Sequence, residues 1–208
     1  MKPKYLYILL TVWLGIPLFL HCASTVKDQE SLSGQTGDTE AENSLYKTKL
    51  FGQTIIYEKP DESRWKLEQD IKNNARGSGM IMYMRVPVYD NKNRAVKPVI
   101  AILYEEIPRE MKDVVQYYIF KMSALKSNTP DLKTVDSFDS EKWGLKYDGM
   151  IGFIHKNNQS GVIHTVITCY MLYKDIGVTI MCDSTEDVFD QVEDDMRRFI
   201  KSVTFENK

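Results

Sequence analysis

Two apolar runs joined by a short polar segment constrain the fold of this chain more than any other feature. The runs read VIHTVITCYMLY at residues 162–173 and VTIMC at residues 178–182, with KDIG between them. Runs rich in β-branched and aromatic residues, joined by so few others, predict two antiparallel strands of a β-hairpin. A hairpin that turns near Asp175 and Ile176 places position 169 opposite position 182. The chain is therefore expected to fold around an antiparallel sheet.

Several other segments have the same strand character. The strand MIMYMRV at residues 80–86 is apolar on both faces, which predicts a central position in the sheet. The remaining predicted strands are Lys49–Glu58, Arg64–Glu68, Lys97–Glu105, Lys133–Phe138, Lys142–Tyr147 and Met150–His155.

Two segments instead have helical periodicity. Apolar residues recur at spacings of three and four between Met111 and Leu125, which predicts an amphipathic helix. A second helix is expected after Ser184, where Asp187 three positions later forms a variant capping box. Its acidic residues come first and its basic residues last, an order that suits the helix dipole. A closing SVTFE segment is expected to return to a sheet edge.

These elements predict an α+β fold, a largely antiparallel sheet with two amphipathic helices. The order of strands around Trp65, a helix, a long meander and the closing DSTEDVFDQVEDDMRRFIKSVTF resembles the PsbP-like α/β/α sandwich. The resemblance covers about residues 45–206. It implies accessory, assembly or binding roles, generally without catalysis, and it carries over no functional residue.

The N-terminus has the layout of an export signal. Lys2 and Lys4 precede an apolar run from Tyr5 to Leu20, which is shorter than a membrane-spanning helix needs. The segment 1–21 resembles a bacterial lipoprotein signal peptide, which implies lipidation of Cys22, although His21 departs from the small residue usual there. Two alternatives stay open: cleavage after Ser24, which gives a secreted soluble protein, and an uncleaved anchor.

Residues 22–44 read as the lipidated cysteine followed by a disordered acidic tether, because they offer almost nothing to a core. A single globular domain is expected over residues 45–208. The predicted location is the outer membrane or the periplasmic face, with acyl chains holding the protein to the membrane. Ala23, which follows Cys22, lacks the Asp that retains some lipoproteins at the inner membrane, and this favours the outer membrane. No basic stripe is present, so nucleic acid is not an expected partner.

The chain has three cysteines. If Cys22 carries lipid, Cys169 and Cys182 remain as an even pair in an oxidising compartment. The predicted hairpin places them opposite each other, which makes them candidates for a cross-strand disulfide. The alternative is two buried free thiols that pack as small apolar residues.

Catalytic signals are sparse. His155 and His164 lie on adjoining predicted strands and could approach each other, but zinc would need a third and a fourth ligand. No serine has the surroundings of a known nucleophile motif. We therefore predict no catalytic residue, no metal and no cofactor. A small envelope enzyme, a metal-assisted hydrolase using the two histidines, is the alternative.

A binding role is the main expectation. The methionines of the predicted strand 80–86 are expected to pack in the core. In the alternative interpretation they form one face of an apolar groove, since Met adapts to varied partners. Aromatic anchors for such a surface are Tyr117, Phe120, Trp143 and Tyr147. Tyr117 and Phe120 lie off the main stripe of their helix, which favours a surface role. The sequence thus predicts a lipid-anchored, non-catalytic binding or accessory module with a protein partner.

Overall fold

The computed structural model describes residues 45–72 and 77–206 of the chain. The predicted signal peptide 1–21, the predicted lipidation site Cys22 and the predicted tether 22–44 lie outside the described residues. None of the helices in the described ranges has both the length and the apolar character needed to cross a membrane.

The described residues form strands and helices in alternating groups. The strands are β1 (Leu45–Leu50), β2 (Gln53–Glu58), β3 (Trp65–Ile71), β4 (Ser78–Arg85), β5 (Val88–Tyr89), β6 (Ala95–Val96), β7 (Val99–Glu106), β8 (Lys133–Asp139), β9 (Met150–Gln159), β10 (Val162–Tyr173), β11 (Ile176–Thr185) and β12 (Thr204–Phe205). The helices are α1 (Val114–Asn128), α2 (Ser140–Trp143), α3 (Glu186–Phe189) and α4 (Glu193–Ser202).

A seven-stranded antiparallel sheet forms the centre of the fold. Its strand order is β3-β4-β7-β11-β10-β9-β8. The methionine-rich β4 lies between β3 and β7, as its apolar character on both faces predicts. The α+β class and the largely antiparallel sheet are therefore confirmed.

The predicted pairing of the two cysteines is wrong. In the β10–β11 hairpin, Tyr173 pairs with Ile176, so the turn residues are Lys174 and Asp175. This turn lies one residue earlier than predicted and places Cys169 opposite Ile180. Cys182 is thus a diagonal neighbour of Cys169 on the same face, and both are free, fully buried thiols. Diagonal Cα atoms are about 7–8 Å apart, beyond the usual span of a disulfide.

The first predicted strand is in fact a hairpin. Phe51 and Gly52 adopt positive φ angles of 45° and 81° between β1 and β2, which reverses the chain inside the predicted strand Lys49–Glu58. The short β12 then pairs with the other side of β2. The C-terminal segment does return to a sheet edge, but the sheet is this small three-stranded one.

The main core lies on the face of the large sheet that α4 and the small sheet cover. In α4 the buried stripe is Met196, Phe199 and Ile200. Phe199 contacts the ring of Tyr57 from β2, with the ring centroids 5.3 Å apart. Cys169 and Cys182 belong to the same buried cluster, so they act as small apolar core residues.

Helix α1 covers the opposite face of the sheet, where it packs on β9 and β10. Gly177 of β11 makes this approach possible, because a Cβ there would lie 2.6 Å from Cζ of Tyr117. Tyr117 is only 1% exposed and contacts the ring of Tyr170. The predicted surface role of Tyr117 is therefore wrong, because its ring fills the space above a glycine.

Two local predictions also fail. Residues 142–147 do not form a strand. Instead Asp139 caps the one-turn helix α2 by accepting a hydrogen bond from the backbone of Lys142, and Gly144 ends that helix with a φ of 61°. Ser184 is not a helix cap, because β11 continues to Thr185 before α3 begins at Glu186.

Candidate functional site

Helix α1 leaves part of its side of the large sheet uncovered. Met80 of β4 pairs with Leu103 of β7, and Leu103 pairs with Thr179 of β11. The hydroxyl of Thr179 lies 3.3 Å from the hydroxyl of Tyr117 on α1. Met80 therefore points to the same side of the sheet as α1. We define the methionine face as the residues that this register places beside α1: Met80, Met82, Met84, Val99, Leu103 and Met181.

All six residues of the methionine face are half-buried. The alternating residues of β4 on the other side, Ile81 and Tyr83, are 1% and 5% exposed in the main core. Strand β4 is therefore apolar on both faces for two different reasons. One face packs in the core, and the other retains access to solvent.

The methionine face has an apolar border on each side. On the α1 side, Phe120 is 37% exposed. On the other side, the edge strand β3 contributes Ile71, which pairs with Met80 and is 44% exposed. The apolar surface thus extends from the helix to the edge of the sheet, and contiguous surfaces of this kind mark interaction sites.

A buried polar cluster closes one end of this surface. Lys121 Nζ donates to Glu105 Oε1 at 2.8 Å, and the hydroxyl of Tyr117 donates to the same oxygen at 2.9 Å. Both side chains of the ion pair are almost entirely buried. Burial, and then the carboxylate of Glu105, raise the pKa of Tyr117 well above its ordinary value, so its hydroxyl stays a donor. This cluster fixes α1 against β7.

A second polar cluster lies at the other end. His164 Nδ1 donates to the carboxylate of Asp183 at 2.8 Å, and His155 Nε2 is 3.2 Å from the hydroxyl of Thr168. Burial lowers the pKa of His155 to about 4, and the nearby Asp183 opposes this shift. His155 is therefore neutral at neutral pH. Its Nδ1 is buried without a hydrogen-bond partner among the described residues.

The structure brings the two predicted histidines to one face of the sheet. His155 of β9 pairs with Val166 of β10. His164 lies on β10 two residues before Val166, so its side chain is on the same face of the sheet as that of His155. Both are buried, and Asp183 lies beside them. No group of three or more His, Cys, Asp or Glu in residues 45–72 and 77–206 is arranged to hold a metal ion. The cluster supplies no candidate set of zinc ligands.

The other predicted anchors do not lie together. Trp143 is buried and stacks on Phe138, with the ring centroids 3.5 Å apart. Tyr147 is half-buried, and its hydroxyl donates to the backbone oxygen of Leu172. Both lie in or against the main core cluster, on the side of the sheet opposite α1. Of the four aromatic residues, only Phe120, on the helix beside the methionine face, is exposed.

Val99, Leu103 and Met181 belong to the site but are not predicted from the sequence. They lie on β7 and β11, and the sequences of these two strands show no separate signal. Only the register of β7 against β4 and β11 reveals that they continue the row of methionines. The alternation in MIMYM is the local sequence signal that indicates this face.

The chemistry of the methionine face is that of an apolar platform. Strands β4, β7 and β11 are each paired on both sides, so their backbone groups are satisfied within the sheet. The platform therefore offers an occupant apolar contact without backbone hydrogen bonds. Methionine side chains suit this role, because they are flexible and polarisable.

Comparisons with known proteins indicate the fold. No family model and no curated protein sequence matches the chain. LpqN of Mycobacterium tuberculosis, a protein involved in cell envelope biogenesis, is 16% identical, with a TM-score of 0.51 over 80% of this chain and 94% of LpqN. At this identity the likeness shows a shared fold.

Two further solved structures are similar at lower scores. The cyanobacterial PsbP (CyanoP) of Synechocystis sp. is 13% identical, with a TM-score of 0.44 over 83% of this chain and 98% of its own. The protein of unknown function PA94 of Pseudomonas aeruginosa is 8% identical, with a TM-score of 0.45 over 72% of this chain and 89% of its own.

Proposed function

We propose that this protein is an exported, non-catalytic accessory module of the cell envelope that holds an apolar helix of a partner protein on its methionine face. The observation that carries the proposal is the row of half-buried methionines on an interior strand, open beside α1. The sequence supports export, because residues 1–22 have the layout of a lipoprotein signal. The involvement of LpqN, which has this fold, in cell envelope biogenesis supports the compartment.

The shape of the platform favours a helix as the occupant. An extended peptide on this platform would leave its own backbone groups without partners in the sheet, whereas a helix satisfies its own. Helix α1 packs on β9 and β10. In the strand order, β7 lies two positions away from β10. That separation is about 10 Å at ordinary strand spacing, and packed helices lie 8–10 Å apart. A second helix would therefore fit beside α1 and complete the layer.

Site-specific crosslinking in intact cells tests this proposal. A photoreactive amino acid replaces Met82 in one variant and Val135 in a control variant. Val135 is an apolar residue of the edge strand β8 and is 57% exposed, so it controls for apolar exposure alone. We expect an adduct from position 82 that maps to the apolar face of one amphipathic helix, and none at that helix from position 135.

The captured helix must then bind at the methionine face. A synthetic peptide of its sequence should bind the purified protein, and Met82→Lys should weaken this binding at least tenfold, since a charge would enter the apolar contact. Val135→Lys should leave it unchanged. Adducts only with lipid, adducts only with a second copy of this chain, or equal binding by both variants would contradict the proposal.

Lipid anchoring is a separate part of the proposal. Cleavage before Cys22 exposes an amine and a thiol for acylation, and several acyl chains together hold a protein firmly to a membrane. The intact mass of the native, detergent-extracted protein should correspond to a chain that starts at Cys22 with added acyl chains. A bare mass that starts near Thr25 would establish a secreted soluble protein instead.

A further inference from the structure

A basic cleft lies on the other side of the molecule from the methionine face. It has a volume of about 460 Å³ and lies between helix α4, the end of β2 and the segment after α2. Its cationic side chains are Lys146, Arg197, Arg198 and Lys201. Two carboxylates, Glu58 and Asp194, also line it, so the cations outnumber the acids by two.

The four cations are held to different degrees. Lys146 Nζ is 3.2 Å from Glu58 Oε1. Arg197 is fixed more firmly, because it pairs with Glu193 at 2.6 Å and its guanidinium carbon lies 4.0 Å from the ring centroid of Trp143. Arg198 and Lys201, by contrast, form no ion pair or side-chain hydrogen bond with any described residue. The cleft therefore combines a fixed wall with two uncommitted positive charges.

The rest of the cleft leaves room for a ligand. Gly144 lines it with a φ of 61°, and a Cβ at this position would have no heavy atom within 4 Å. Ser202 also lines it, but its hydroxyl already donates to the backbone oxygen of Phe199 and accepts from the backbone of Glu58. A ligand would thus bind through charge and guanidinium hydrogen bonds rather than through hydroxyl groups.

These features match a phosphate group. Arginine presents a planar set of donors that suits phosphate oxygens, and lysine adds a mobile point charge. Even with Asp194 in the lining, the cleft keeps an excess of positive charge that a phosphate anion would neutralise. We propose that the cleft bounded by Arg198 and Lys201 binds a phosphate group, carried either by a lipid headgroup or by a soluble phosphate.

The path of the chain favours the lipid source. Residue 45 is where the described domain begins, and Leu45 pairs with Glu58 at the rim of the cleft. The segment that leads back to Cys22 therefore joins the domain beside the cleft. If Cys22 is acylated, the chain that connects the domain to the membrane enters the domain at Leu45, beside the cleft, and this favours a lipid headgroup as the source of the phosphate.

The test compares two double variants of the full chain that lose the same charge. Arg198→Gln with Lys201→Gln removes the uncommitted cations of the cleft. Lys126→Gln with Lys133→Gln removes two exposed cations at the end of α1 and on β8, away from the cleft. Each protein is titrated with inorganic phosphate, and backbone NMR shifts are followed at residues 144, 198 and 201. Each is also sedimented with vesicles of phosphatidylcholine, with and without phosphatidylglycerol.

We expect the cleft variant to bind at least tenfold more weakly than the unchanged protein, since it loses the charge-assisted hydrogen bonds of both uncommitted side chains. The control variant should bind within twofold of the unchanged protein. Because all three carry the same N-terminal segment, its own contribution to vesicle binding cancels in the ratio.

The phosphate titration and the vesicle sedimentation also show whether the phosphate group comes from a lipid headgroup or from a soluble phosphate. A tenfold loss with phosphatidylglycerol vesicles supports a headgroup site, and a tenfold loss with inorganic phosphate alone supports a site for a soluble phosphate. Either result supports the phosphate site. The absence of binding to both probes, or an equal loss in the two double variants, would overturn it, because charge in general would then explain the binding.

Discussion

Lys121 Nζ lies 2.8 Å from Glu105 Oε1, and this buried ion pair joins helix α1 to strand β7. The hydroxyl of Tyr117 reaches the same carboxylate oxygen at 2.9 Å. The helix that borders the methionine face is thus held by charge as well as by apolar packing. This arrangement keeps α1 at a defined distance from β4 and so fixes the width of the proposed site.

Removal of one partner of this pair should destabilise the protein. Lys121→Met leaves a buried carboxylate without its cation, so we expect the free energy of unfolding to fall by about 3 kcal/mol. Combining Lys121→Met with Glu105→Gln should recover a large part of this loss. Urea unfolding measures both, with Lys126→Met on the exposed side of α1 as the control. Equal losses in Lys121→Met and Lys126→Met would contradict this role.

Gly177 should tolerate no side chain while Tyr117 is present. A Cβ at position 177 would meet the tyrosine ring at 2.6 Å, so Gly177→Ala should lower the free energy of unfolding by about 2 kcal/mol. In a Tyr117→Ala background the same change should cost less than about 0.5 kcal/mol, because the two positions are coupled through this contact. If Gly177→Ala lowers the free energy of unfolding equally with and without Tyr117, the contact with the tyrosine ring is not the cause of the destabilisation.

Asp195 should contribute much more to stability than its neighbour Asp194. Its carboxylate accepts a hydrogen bond from Nε1 of Trp65 at 3.1 Å and pairs with Arg64 at 3.0 Å. We expect Asp195→Ala to lower the free energy of unfolding by about 2–3 kcal/mol, since it leaves a buried indole donor without its partner. Asp194→Ala, at an exposed position, should change it by less than about 0.5 kcal/mol. Thermal unfolding of the two variants gives the comparison directly.

The protein should lose stability between pH 6.5 and pH 4 because of His155. Burial lowers the pKa of this group in the folded state from 6.5 to about 4. Between these values the unfolded chain binds a proton that the folded protein excludes, so protons favour unfolding. The contribution is complete above pH 6.5 and is lost as the pH falls, up to about 3 kcal/mol.

His155→Gln isolates this effect, because glutamine does not titrate. Urea unfolding midpoints at pH 7 and pH 5 should differ less in His155→Gln than in the unchanged protein. Carboxylates titrate mainly below this interval and contribute equally to both proteins. An identical pH dependence in the two proteins would show that His155 is not the group responsible.

Cys169 and Cys182 should remain thiols in the native protein. Both are fully buried, and burial raises the pKa of each above its ordinary value, so neither offers a reactive thiolate. We expect both to resist a thiol reagent until the protein is unfolded. The intact mass should not change on reduction. A gain of about two daltons would show that the two cysteines form a disulfide in spite of their diagonal register.

The sequence predicts the strands of the large sheet more accurately than the register in which they pair. The apolar pattern of residues 162–173 and 178–182 correctly predicts two paired strands. The turn, however, consists of Lys174, which adopts a φ of 56°, and Asp175, whereas the pattern predicts Asp175 and Ile176. A turn displaced by one residue shifts the opposite position by two, and this alone separates Cys169 from Cys182.

The candidate site was only partly predictable for a related reason. The apolar residues of β4 predict an apolar surface on both faces of the strand, but the sequence of that segment does not indicate which face a helix covers. The position of Tyr117 off the main helical stripe predicts a surface residue. Its burial depends on Gly177, which is 60 positions further along the chain and leaves space for the ring. Such long-range complementarity has no local signal.

The most direct test of helix binding at the methionine face is the response of the methionine methyl groups to the captured helix. Selective ¹³C labelling of the methionine methyl groups gives each of them its own NMR signal. We expect the helical peptide to shift the signals of Met80, Met82, Met84 and Met181, whereas the signals of the core residues Met150, Met171 and Met196 stay unchanged. Shifts confined to other methionines, or no shifts while the peptide is bound, would contradict the methionine face as the binding site.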